Sequence, residues 1–111
     1  MKAESAERLP ARSMSRGKVA CRYNYTETIR DNDTGPATII GFDYVLIDLP
    51  LARSAIIDAI ISDRYAKSAE IAMINNKELS EDDAAEYADY QAYRLKAKLW
   101  ADQILADQAV L

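Results

Sequence analysis

KVACRYNYTETIRDNDTGPATIIGFDYVLI, residues 18–47, is the stretch whose reading decides the fold. Its first part, 18–30, alternates: Val19, Cys21, Tyr23, Tyr25 and Ile29 fall on one side, and Arg22, Asn24, Thr26, Thr28 and Arg30 on the other. A period of two with β-branched and aromatic enrichment predicts a half-buried antiparallel strand. DNDTGP (31–36) gathers turn residues and predicts the return. In ATIIGFDYVLI (37–47), Ile40, Phe42, Tyr44 and Leu46 share one face, and Ile39, Val45 and Ile47 the other. A strand apolar on both faces has to be covered on both. A helical layer supplies one cover; the second is unassigned in so short a chain and hints at another subunit. Gly41 and Asp43 interrupt the second face and suggest a bulge.

Outward from this hairpin, residues 1–17 (MKAESAERLPARSMSRG) are polar and small, with Lys2, Arg8, Arg12 and Arg16 outnumbering Glu4 and Glu7. They sustain no apolar period and are expected to form a flexible basic arm, either a tail without a role or a segment that orders against a partner. Residues 18–111 form the single α+β domain. In 48–76, Pro50 suits a helical first turn. Ile56, Ile57, Ile60 and Ile61 make one apolar stripe opposite Ser54, Asp58 and Ser62. A break is expected around 63–67. A second short helix then carries Ile71, Ala72 and Ile74 and stops at Asn75-Asn76, since Asn tolerates the left-handed conformation that ends helices. Over 80–108, Ser80 with Asp83 resembles a capping box, Glu81, Asp82 and Asp83 suit the positive end of the helix dipole, and the Ala-, Leu- and Lys-rich run that follows predicts one long helix. The fold class is α+β: an N-terminal antiparallel β-hairpin, two or three helices, and the long helix last.

Along that last helix Tyr90, Tyr93, Ala97, Trp100 and Ile104 follow a 3-4-3-4 spacing, with Leu111 beyond the break at Asp107 and Leu95 and Leu99 on a flanking face. One stripe packs on the sheet and the other has to find a partner. The candidate interface is therefore Tyr90, Tyr93, Arg94, Ala97, Trp100 and Ile104 on the helix, with Ile39, Val45 and Ile47 on the strand; completion of the chain's own core is the competing reading.

The sequence holds no histidine, one cysteine and three glycines. That removes the commonest acid/base and metal ligand, Cys/His zinc sites, the histidine that would activate Cys21, and any Gly-rich phosphate loop. Asp31-Asn32-Asp33-Thr34-Gly35 starts like a calcium loop, but its glycine comes one place early and no Glu follows at the twelfth position; a hairpin turn accounts for it. Asp43 and Asp48 could flank a cleft as a carboxylate pair. Arg94, Lys96 and Lys98 do not share one basic face, and a net charge of −4 disfavours nucleic acid and anionic lipid. No catalytic residue, cofactor or small-molecule substrate is expected. The first residues lack the apolar core of a signal peptide, no run approaches the ~20 apolar residues that span a bilayer, and a cytoplasmic location in the producing cell is expected.

The segments AIIDAIISDRY (55–65), IAMINN (71–76) and EYADYQAYRLKAK (86–98), with a Tyr-x-x-Tyr-Arg-x-x-Ala-Lys pattern carried by Tyr90, Tyr93, Arg94, Ala97 and Lys98, resemble the C-terminal half of small uncharacterised proteins of tailed phages and prophages. The resemblance implies the company of tail or tail-fibre modules. The expected function is non-enzymatic protein–protein interaction in a small virion, tail accessory or assembly protein, whose partners are copies of itself or another virion protein. The alternative is a small acidic phage-encoded inhibitor of a host defence enzyme, working through Glu81, Asp82 and Asp83.

Overall fold

The computed structural model describes residues 1–107. They form an α+β arrangement in chain order: β1 (Lys2–Ser5), β2 (Arg12–Ser15), β3 (Lys18–Asn32), β4 (Gly35–Ile47), α1 (Arg53–Arg64), α2 (Lys67–Asn76) and α3 (Glu81–Ala106). The expected hairpin is β3–β4. It forms the middle of a four-stranded antiparallel sheet of order β1-β4-β3-β2.

The N-terminal segment is the first correction. Residues 1–17 are not a flexible arm: β1 pairs with β4 and β2 with β3. Since β1 and β2 lie on opposite edges, residues 6–11 have to cross the sheet. They do so over the face turned away from the helices. The Tyr25 hydroxyl donates to the Leu9 carbonyl at 2.9 Å, an Arg22 guanidinium nitrogen donates to the Pro10 carbonyl at 3.0 Å, and the Arg8 guanidinium lies 4.2 Å from the Tyr25 ring centre. Ile40 and Phe42, on that same face, are buried. The chain's own crossover thus lies over this face at Arg22 and Tyr25, while Tyr44 stays half-buried and Leu46 exposed.

On the opposite face, Val19, Cys21, Tyr23, Val45 and Ile47 meet Ile56, Ile60 and Ile61 of α1, Met73 of α2, and Tyr90, Tyr93, Ala97, Ala101 and Ile104 of α3. The isoleucine stripe is core as its spacing predicts, each buried side chain contributing roughly 1.5–3 kcal/mol. On α2 the register differs from expectation: Met73 and Glu70 are buried, and Ile71 and Ile74 are exposed. The helix stops at Asn76, as anticipated, but continues into a right-handed Lys77 (φ −56°) instead of a left-handed cap. Pro50 precedes α1 instead of lying in its first turn. Ser80 caps α3, its Oγ accepting the Asp83 N–H at 3.0 Å.

The bulge is also displaced from where the sequence suggests it. Tyr23 faces Asp43 and Thr26 faces Gly41, so Asn24 and Tyr25 on β3 together oppose Phe42. Asn24 takes a left-handed φ of 56°, which its short polar side chain tolerates. The extra residue inverts the alternation. Tyr25 crosses to the outer face, where its ring lies 6.0 Å from that of Phe42. Gly41 lies beside it, where a Cβ would come within 2.9 Å of Thr26 Oγ1 and would displace that hydroxyl.

Candidate functional site

Beyond the bulge the two central strands leave the body of the protein. β1 pairs only with Ile40–Asp43, and β2 only with Lys18–Cys21. From Thr26 to Ile39, β3 and β4 therefore pair, among the described residues, only with each other. Every residue from Thr26 to Thr34 is exposed, Ile29 at 73%, and no core member comes from this stretch. At ~3.3 Å per residue, Thr26–Asn32 reaches roughly 20 Å, which contributes to a long molecular axis of 54 Å. One surface ion pair, Arg30 to Glu4 at 2.6 Å, ties the ribbon back to β1.

The tip is a two-residue hairpin turn, with Asn32 opposite Gly35 and Gly35 at a φ of 112°. The Asn32 side-chain oxygen accepts the Thr34 N–H at 3.0 Å and its hydroxyl at 2.8 Å. The carboxamide is committed to the turn, and the carboxylates of Asp31 and Asp33 remain exposed. Among the described residues no group of three or more acidic, cysteine or histidine side chains could hold a metal. Pro36, which has no N–H to offer, and the charges of Glu27, Arg30 and Asp31 guard the open edges against casual strand pairing.

At the root of the ribbon, on the helix side, lies a cleft of two lobes, each with a volume of about 420 Å³. Lys2, Asn24 and Asp43 belong to both lobes. The outer lobe adds Glu4, Thr26 and Gly41; the inner one adds Tyr23, Asp63, Arg64, Tyr93, Lys96 and Trp100. Its carboxylates are engaged: Asp43 receives Lys2 Nζ at 2.8 Å and Asn24 Nδ2 at 3.0 Å, and Asp63 pairs with the amino group of Met1. Its cations are less so. Arg64 lies 4.5 Å from the Tyr93 ring centre, and among the described residues neither Arg64 nor Lys96 makes an ion pair. The floor is aromatic, with Trp100 5.0 Å from Tyr23 and 5.7 Å from Tyr93 between ring centres. Burial pushes both tyrosine hydroxyls above their ordinary pKa, so they offer hydrogen bonds and not charge.

No protein family, curated protein or solved structure matches this chain.

Most of the interface expected from the sequence is interior. Tyr90, Tyr93, Ala97, Ile104, Val45 and Ile47 are buried in the chain's own core. The 3-4 spacing is real, but the seam faces β3 and α1. Leu111 lies outside the described residues. Arg94 is half-buried beside Tyr90, 5.8 Å from its ring centre. Trp100 is half-buried at the inner lobe, and Ile39 is half-buried where the ribbon begins. Leu95 and Leu99 remain exposed on α3. Asp43 does line a cleft, but Asp48 pairs with Lys18 at 3.4 Å and is not its partner. Cys21 is fully buried, its thiol pushed up to about 11 by loss of solvent, and holds no accessible nucleophile. Among the described residues no helix is long and apolar enough to cross a membrane.

Of the cleft residues Lys2, Asn24, Arg64 and Lys96, sequence reasoning placed Lys2 in a basic arm, weighed Lys96 only within a cluster with Arg94 and Lys98, and gave the other two no role. They come from four elements far apart in the chain. Only Asn24, a left-handed-tolerant residue in mid-strand, carried a local signal.

Proposed function

We propose that this protein is a non-enzymatic assembly module that joins protein partners through its β3–β4 ribbon. The phage resemblance suggests a small virion or tail accessory role. The observation that supports the reading most is a ribbon projecting roughly 20 Å whose residues 26–34 are all exposed and join no core cluster among the described residues. An isolated two-stranded ribbon gains little from its own ladder, and Ile29 at its midpoint is exposed to water. A partner that covered the ribbon would supply the burial that the chain withholds. The geometry supports catalysis poorly, since the acidic groups of the cleft are paired and the thiol is inaccessible.

The test is a chain in which residues 28–39 are replaced by Asn-Gly, joining Glu27 to its cross-strand neighbour Ile40 by a tight turn. This chain keeps every core residue, and its stability is expected to change by less than about 1 kcal/mol. Self-association in light scattering, and capture of virion proteins when it is mixed with disrupted particles, are expected to be lost. Association equal to that of the full chain removes the ribbon from the account. The acidic-inhibitor reading draws on Glu81, Asp82 and Asp83 at the start of α3, of which Glu81 and Asp82 are exposed and Asp83 is half-buried against Ser80. It predicts that inhibition of a nuclease survives loss of the ribbon and disappears when those carboxylates are neutralised.

A further inference from the structure

We infer that the cleft between β1, β3 and the α1–α3 pair is the receptor for the ribbon tip of a second copy of this chain, so that the protein assembles head to tail. The inference rests on the assembly reading above and names its partner.

The two surfaces differ in place and complement each other in charge. From Thr26 to Ile39 the ribbon carries Glu27, Asp31 and Asp33 against Arg30 alone, and the two aspartates sit at the turn with exposed side chains. The inner lobe carries Lys2, Arg64 and Lys96 against Asp43 and Asp63, and both of those carboxylates already have partners. What the lobe has in surplus is cationic: Arg64, held only against aromatic rings, and Lys96, exposed on α3. What the tip has in surplus is anionic. Trp100, half-buried and tilted 40° against the Tyr23 ring beneath it, gives the lobe an aromatic wall against which Thr34 and Gly35 can pack as they turn.

The mode of contact follows from the ribbon's edges. Pro36 and the edge charges disfavour addition of a whole strand, which leaves the tip as the recognition element. One protein then carries both a plug and a socket at different positions. Such heterologous contacts generate rings or open chains in place of a two-fold dimer.

Charge reversal at either surface separates the possibilities, because all four positions are exposed and absent from the core. The full chain is expected to show a molar mass in light scattering that rises with concentration beyond the dimer and falls in 1 M salt, which screens exposed charge. D31K/D33K and R64E/K96E are each expected to be monomers of 12.4 kDa. Their equimolar mixture is expected to associate beyond the dimer again, in alternating copies, since each tip then meets a socket of opposite charge, native in one pairing and reversed in the other. The chain carrying all four changes is expected to associate again. If R64E/K96E associates as the unaltered chain does while the ribbon-shortened chain does not, the ribbon binds elsewhere and the cleft assignment is wrong. If the unaltered chain stays monomeric up to about 1 mM, or a two-fold dimer survives both reversals, head-to-tail assembly is overturned.

Discussion

β3 and β4 are continuous strands with two different lives. At their root, Val19, Cys21 and Tyr23 oppose Ile47, Val45 and Asp43 and are pressed between the helices on one side and the 6–11 crossover on the other. Past the bulge the same ladder continues from Thr26 opposite Gly41 to Asn32 opposite Gly35, and beyond the end of β1 at Ile40 no other strand of the described residues pairs with either edge. Backbone pairing is the same in both halves; packing is not. The root is held by apolar burial. The distal half is held by its hydrogen bonds, one surface ion pair worth at most about 1 kcal/mol, and the stiffness that the root lends it. Hydrogen bonding makes a strand, but only a covered strand contributes much to stability. The uncovered half is available for another use.

Mutations on the two halves sharpen this contrast. Ile60→Ala, beneath the root, removes a side chain with no solvent exposure and is expected to cost about 2–5 kcal/mol in urea unfolding. A cost below about 1 kcal/mol would mean that the helical layer is not clamped on the sheet as described. Ser80→Ala removes the cap of α3, which carries much of the root's cover, and is expected to cost about 1 kcal/mol. Ile29→Ala on the distal half is expected to stay within about 0.5 kcal/mol by the same measurement, despite deleting the same kind of side chain as at position 60. A large loss there would mean that the ribbon is packed in solution.

Cys21 reports on the root through pH. Its folded pKa of about 11 stands above the ordinary value of 9.0 because burial disfavours the thiolate. Between those values the unfolded chain releases its proton while the folded one keeps it. The thiol's contribution to stability is therefore fully present below pH 9 and is lost as pH rises towards 11. In the native protein at pH 8, Cys21 is expected to resist a thiol reagent that modifies it fully in urea. Rapid modification without denaturant would place the root in solvent.

The same contrast explains what could be read from the sequence. The root was legible: Val19, Cys21 and Tyr23 alternate, the isoleucines of α1 recur at helical spacing, and Ser80 with Asp83 marks the start of α3. The flaw came at Asn24. A bulge adds one residue without altering composition, so an alternation counted straight through it put Tyr25 and Ile29 on the core face, whereas Tyr25 lies under the crossover and Ile29 is bare. β1 and β2 were missed because four residues each are too few to show a period. Their edge positions are held by backbone bonds that a polar sequence makes as well as an apolar one. With them went the crossover, a cover from within the chain that the reading of the sheet's outer face did not include. The seam at Tyr90, Tyr93, Ala97 and Ile104 was found correctly as a pattern. Spacing alone does not say whether a seam faces its own sheet or a neighbour. The cleft was illegible because Lys2, Asp43, Arg64 and Lys96 meet only through the tertiary fold.

The most direct measurement of the division between a structural root and a binding ribbon is amide hydrogen exchange at two concentrations, one dilute and one at which the protein associates. On association, the account predicts new protection at Glu27–Ile39 and around Arg64 and Lys96, with the root amides of Val19–Tyr23 slow in both states. Protection gained instead along the exposed Leu95 and Leu99 face of α3, with the ribbon unchanged, would contradict it.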